Sequence, residues 1–225
     1  MVGAGLHRVS SDPMGGDASA ELEAQHTRLL EGLAASIREN GLAGTQLGDI
    51  VRHAHASRRT FYKHFPDKDA CFVELAGRVA ELVRTQIIDA IDQSAPWTTQ
   101  VDQAIDTYLR ILASDPAMSL TFASPDVGDS VIRAQRDAIE RFAALMMGVI
   151  NDEALKQPGL AMSFERAYML VSGLHETVHR AVSRGEDVLR LAPEFRAVFK
   201  AVVASSLGEP ATSKRRSRVA RPAKA

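Results

Sequence analysis

The stretch from Thr45 to Lys68, TQLGDIVRHAHASRRTFYKHFPDK, constrains the fold more than any other part of the chain. Leu47, Ile50, Val51 and Ala54 recur at i, i+3, i+4 and i+7, which places one apolar stripe along a short helix. A helix that short and that striped requires a packing partner. Ser57 is suited to cap a second helix, because its hydroxyl can accept from a free backbone N–H one turn on. Pro66 ends that helix, since the residue before a proline is pushed out of the helical region. Phe61 and Phe65, four apart, give it a buried side. Arg58, Arg59, Thr60, Tyr62, Lys63 and His64 are left for the other side, with no carboxylate among them. Such a surface offers hydrogen-bond donors and positive charge, as a reader of a nucleic-acid groove requires. The plain alternative is a solvated basic face.

The order of residue types narrows this. Thr45, Ile50, Ser57, Thr60, Phe61, Tyr62, His64, Phe65 and Lys68 resemble, position by position, the helix-turn-helix of the tetracycline-repressor (TetR) family of bacterial transcription regulators. The resemblance covers roughly residues 27 to 75 and departs from the family at two points. Ala54-His55-Ala56 stands where a glycine usually makes the turn, so His55 is expected at positive φ with a strain of about 1 kcal/mol. Leu42 stands where an aromatic is more usual, and still supplies an apolar plug.

The resemblance implies an all-α protein, with a three-helix DNA-binding domain followed by a larger helical effector-binding and dimerisation domain, about nine helices in total. The expected division is an N-terminal arm at 1–22, the helix-turn-helix domain at 23–70, the effector and dimer domain at 71–208, and a basic tail at 209–225. The implied activity is that of a homodimeric repressor released from a palindromic operator by a small, largely apolar molecule. Activation instead of repression depends on operator position and stays open. In this reading Arg58, Arg59 and Thr60 meet base edges. Ser57 opens the reading helix, and Thr45, Tyr62, Lys63, His64 and Lys68 hold phosphates.

Composition fits. The chain has 225 residues, 45% hydrophobic and 24% charged, ordinary for a globular protein. No apolar run approaches the roughly 18 to 20 residues that span a bilayer, and the first twenty residues lack a secretion signal, so a cytoplasmic location is expected. The single cysteine, Cys71, excludes an internal disulfide and fits a reducing compartment. The net charge of −1 is unevenly spread. Lys214, Arg215, Arg216, Arg218, Arg221 and Lys224 crowd the C-terminus; without those six of its 27 basic residues the chain has 21 against 28 acidic ones, about −7. Attraction to phosphate must then come from a local patch, not from bulk charge. The basic tail reads as a solvated end, or alternatively as added non-specific DNA affinity.

Along the chain, Leu30, Leu33, Ala34 and Ile37 mark a first helix ended by Asn40-Gly41. Asp67 can cap a fourth, in which Phe72, Leu75, Val79, Leu82 and Val83 keep the helical period up to Pro96. Val101, Ile105, Tyr108 and Leu112 mark another, Ala117 to Ala123 a short piece, and Ile139, Phe142, Met146 and Val149 a longer one. After the Gln157-Pro158-Gly159 break, Ser163 to Arg184 has apolar residues on two sides, more than one neighbouring helix can cover. Glu194 to Leu207 forms the last. The family resemblance implies that these last two helices pair with their copies in a second subunit, where Gly173 would let backbones approach; an ordinary helical core is the alternative.

Three further features concern chemistry. His175-Glu176-Thr177-Val178-His179 spells H-E-x-x-H, in which two imidazoles one turn apart hold zinc and the glutamate activates water. A third ligand is missing at the usual spacing, so a zinc hydrolase ranks far below a cavity-facing, interface or core histidine. No phosphate-binding loop, dinucleotide fingerprint or nucleophile elbow is present, and neither enzyme activity nor a cofactor is expected. Cys71 near a helix start could sense oxidants, with plain packing the stronger reading. The candidate effector lining is Trp97, Tyr108, Leu112, Phe122, Phe142, Met146, Tyr168 and His175; outside the resemblance, these residues simply fill a core. A sequence-indifferent architectural DNA-binding protein is the remaining alternative, disfavoured by the acidic body.

Overall fold

The computed structural model describes residues 14–115, 129–154 and 162–206. Among these the secondary structure is entirely helical: α1 (Met14–Gly44), α2 (Leu47–His53), α3 (Arg58–His64), α4 (Lys68–Ala90), α5 (Trp97–Ser114), α6 (Asp129–Ala154), α7 (Phe164–Ser183), a 3-10 turn at Val188–Leu191, and α8 (Ala192–Ser206). The expected piece at 117–123, the break at 157–159, Phe122 and the basic tail lie outside the described residues. So does most of the N-terminal arm, but α1 already begins at Met14, where Ala, Glu and Leu are strong helix formers.

The chain divides into two compact units. One takes the residues up to Val83 together with the described part of 114–138, and the other takes Arg84–Ala113 and the described residues from Ile139 on. In the first unit, Leu29, Leu33 and Ile37 of α1 meet Ile50 and Ala54 of α2, Phe61 and Phe65 around α3, and Phe72 and Leu75 of α4 in one core. The apolar spacing read from the sequence is thus the buried face of each helix, with one exception. Leu82 of α4 is 57% exposed, while its neighbour Val83 is buried.

Helix ends follow their capping chemistry. Gly41, at φ 68 and ψ 168, breaks α1 in a region open essentially to glycine. The α3 cap is as expected, with Ser57 Oγ accepting from Thr60 N–H at 3.0 Å. Asp67 Oδ1 accepts from Ala70 N–H at 2.8 Å and starts α4. Helix α7 runs between the expected residues, from its Ser163 cap to Arg184. Gly185 follows at φ 68, with its N–H donating to Val182 O and that of Glu186 to Ala181 O. That six-to-one and five-to-two pair is the C-terminal motif that favours a left-handed glycine.

In the second unit Ile105 and Leu109 of α5, Ala143 and Ile150 of α6, Leu170, Leu174 and Val178 of α7, and Phe195, Phe199 and Val203 of α8 share a core. The 3-10 turn, which the sequence pattern did not disclose, adds Val188 to it.

Candidate nucleic-acid interface

The helix pair α2–α3 is set by three local devices. Asp49 Oδ2 accepts from Gln46 N–H at 3.1 Å and starts α2, which is capped at Gln46. Behind α2, Gly32 of α1 packs so closely that an added Cβ would lie 2.6 Å from Ile50 O and 2.9 Å from Ala54 Cβ. Between α2 and α3, His55 has φ 49, the one non-glycine residue at positive φ among the described residues. Its N–H donates to Arg52 O at 3.3 Å and Ala56 N–H to Val51 O at 2.9 Å. This is the same C-terminal motif that Gly185 makes after α7, here with histidine in the left-handed position.

Helix α3 then divides cleanly. Phe61 and Phe65 are buried, their rings 5.6 Å apart. Ser57, Arg58, Arg59, Tyr62 and Lys63 are exposed, Tyr62 at 60%, and Thr60 is half-buried with its hydroxyl 2.9 Å from that of Ser57. The exposed face carries cations and hydroxyls without an acidic residue in the helix.

Three residues from the expected phosphate set sit otherwise. Thr45 is 2% exposed; its hydroxyl donates to Gly41 O at 2.8 Å and accepts from Ser36 Oγ–H at 3.1 Å, so it is used up inside the domain. Lys68 Nζ donates to Thr45 O at 3.0 Å and Leu42 O at 3.3 Å, holding the carbonyls of the α1–α2 link. His64 is half-buried against His26 of α1. Each answers to a partner many residues away, which local spacing cannot disclose.

Cys71 is fully buried, and burial first, then the charge of Glu74, pushes its thiol up to about 12. No thiolate forms there near neutrality, so the residue packs.

In the second unit, Trp97, Tyr108, Leu112, Met146 and Tyr168 are partly buried against the core. Phe142 and His175 are half-buried in the same unit. Burial raises the Tyr108 hydroxyl well above its ordinary value. The His175 ring is held below its ordinary value by burial, then by the charge of His179, against the pull of Glu176. Among the described residues no three His, Cys, Asp or Glu side chains gather into a group able to hold a metal ion. The pair His175 and His179 thus has no third ligand there. Among the described residues no helix is long and apolar enough to cross a membrane.

The geometry defines the class: a helix-turn-helix domain of the kind carried by bacterial DNA-binding regulators, joined to a helical second unit. Residues 29–75 match the model of the bacterial regulatory proteins of the tetR family. The helix-turn-helix domain is therefore one of the kind that defines the TetR family of transcription regulators. No curated protein matches the chain. Solved structures with the same fold include a TetR-family regulator from Syntrophomonas wolfei, with TM-score 0.68, 12% identity, and 84% of this chain and 98% of that one covered. A second, from Mesorhizobium loti, has TM-score 0.60 and 20% identity over 83% of this chain and 96% of that one. A third is the regulator FadR of Bacillus subtilis in complex with stearoyl-CoA, with TM-score 0.61 and 14% identity over 80% of this chain and 98% of that one.

Proposed function

We propose that the protein is a homodimeric repressor that reads a palindromic operator with two copies of α3 and releases it on binding a small, largely apolar effector in the second unit. The observation that carries the reading is the split of α3, with its phenylalanines inward and Arg58, Arg59, Tyr62 and Lys63 outward beside no acid. Arg58, Arg59 and Thr60 occupy the N-terminal turn of the reading helix, the part that enters a major groove first. Lys63, Tyr62 and the Ser57 hydroxyl serve phosphates. Thr45, His64 and Lys68 instead hold the shape of the reading head. The effector side is supported by the aromatic and thioether side chains half-buried in the second unit, and by the acyl-CoA bound to FadR of B. subtilis. The dimer is supported by the exposed stripe of Met169 and Gly173 on α7 and of Ala197, Val198 and Ala201 on α8.

A gel-shift titration on the chain's own upstream DNA tests the assignment. Arg59→Ala is expected to bind about 5- to 150-fold more weakly and to discriminate less at one base pair, because a bidentate arginine–guanine contact is worth roughly 1–3 kcal/mol. Lys63→Ala is expected to weaken all sequences alike and flatten the salt dependence. Wild-type affinity for Arg59→Ala would remove α3 from the role of reader.

A further inference from the structure

At the C-terminal end of α3 three ionisable side chains from three helices form a chain. Glu74 Oε1 of α4 lies 2.6 Å from His26 Nε2 of α1, and His26 Nδ1 lies 3.4 Å from His64 Nδ1 of α3. The two imidazoles meet edge-on with centroids 5.3 Å apart, and the His26 ring also lies 4.7 Å from that of Phe65. His64 Nε2 is buried with no hydrogen-bond partner.

Counting hydrogens shows what this arrangement tolerates. A contact between two ring nitrogens is a hydrogen bond only when one carries hydrogen and the other a lone pair. The Glu74 carboxylate fixes a hydrogen on His26 Nε2. With both rings neutral, His26 Nδ1 then accepts from His64 Nδ1–H, and His64 Nε2 is bare. One added proton is accommodated: His26 becomes an imidazolium held by Glu74 and donates to His64 Nδ1, the other tautomer of His64 being used. A second proton is not. Two N–H groups then face each other across 3.4 Å, and the added charge finds no counter-charge. Lys63 of α3 is a like charge beside His64, Arg78 of α4 already shares Glu74, and the Cys71 thiol facing Glu74 is neutral. The directions agree. Burial first, then the charges of His26 and Lys63, hold His64 below its ordinary value. Burial works to raise the Glu74 carboxyl, and its bonds to His26 and Arg78 outweigh it, leaving it below its ordinary value.

We propose that His26, braced by Glu74, is a positioning residue for the reading helix and forms with His64 a proton-sensitive latch. The pair closes with one added proton or none, and a second proton frees the end of α3 from α1. This rests on the reading role proposed for α3. A group whose folded value is depressed gives stability that is present above its unfolded value and lost as pH falls below it, so the loss begins near the ordinary histidine value of about 6.5. Acidification should therefore weaken DNA binding. The sign is diagnostic, because protonating exposed histidines such as His55 adds positive charge and by itself tightens binding to phosphates.

The test uses the full chain and His64→Asn, which puts an amide nitrogen where Nδ1 stands, keeps the donor to His26 and takes up no proton. Melting temperature without DNA, and affinity for the chain's own upstream DNA, are followed from pH 7.5 to 5.5. The expected result is a wild-type melting temperature that falls over this range while that of the variant stays nearly level. Wild-type affinity falls several-fold as that of the variant holds or rises. Parallel melting curves overturn the latch even if DNA binding is intact. A wild type that binds no DNA at any pH overturns the reading role, and the melting curves still judge the latch. Should His64→Asn not fold, the wild-type ring-proton NMR titration decides: a His64 curve displaced to acid is expected, and a His64 curve at the ordinary value overturns the proposal.

Discussion

At residue scale, the reading head depends on one hydrogen atom's worth of space. Gly32 in α1 faces the backbone of α2, and the three atoms nearest its missing Cβ are Ile50 O at 2.6 Å, Ala54 Cβ at 2.9 Å and Ala54 N at 2.9 Å. Two are main-chain atoms, unable to swing aside as the tip of a long side chain would. Alanine in a helix interior normally gains about 1 kcal/mol over glycine. Here the overlap costs more than that gain, because relief requires moving α2 away from α1. Gly32→Ala is expected to lose about 1–3 kcal/mol of stability by urea denaturation and to weaken DNA binding, since α3 hangs on α2. A variant as stable as wild type would show that α1 and α2 have slack. Nothing in the sequence around Gly32 distinguishes it from a tolerated helix glycine; only the approach of a helix some twenty residues further on makes it obligatory.

At the scale of elements, the short-range features were legible and the long-range ones were not. The Ser57 cap, the Phe61 and Phe65 pair, the stop at Pro66, the strained His55 and the bounds of α7 all follow from neighbours within a turn or two, and spacing reports those. Thr45, Lys68 and His64 are of types that suit phosphate contact, and sequence alone assigns them to it. Their partners Ser36, Leu42 and His26 lie 9, 26 and 38 positions away. The link between α5 and α8 is of the same hidden kind. Arg196 pairs with Asp106 and approaches Asp102 at 3.8 Å, while Lys200 Nζ lies 2.6 Å from Asp102. About a third of each of these side chains is exposed, so solvent screens the cluster and its worth is modest. Asp106→Ala leaves the Arg196 guanidinium with only the more distant carboxylate. A loss of roughly 0.2–1 kcal/mol is expected at low ionic strength, and less in 1 M salt. Equal losses in both would mean that packing, not charge, joins α5 to α8.

At the scale of the whole molecule, the outward stripe of α7 and α8 is the face offered to a second copy of the chain in the proposed dimer. Met169 is 65% exposed and Val198 41%, although most apolar residues of these two helices are buried or half-buried in their own unit. Between the turns that carry Met169 and Glu176, Gly173 is exposed, and a Cβ added there would meet nothing within 4 Å. Within one chain, therefore, a larger residue at 173 is tolerated, and leaving glycine should add up to about 1 kcal/mol to the helix. In a dimer built on this stripe the consequence reverses, because two helix backbones that approach through glycine cannot do so past a long charged side chain. Gly173→Arg is thus expected to melt no lower than wild type when dilute, yet to sediment as single 24.4 kDa chains where wild type sediments as pairs. Operator affinity should fall with it. A palindrome engages two joined heads at an effective concentration that free monomers lack, and losing that linkage typically costs about 10²–10⁴ in binding. Stable pairs of Gly173→Arg chains, or wild-type chains that remain single at operator-saturating concentration, would place the dimer face elsewhere on the molecule.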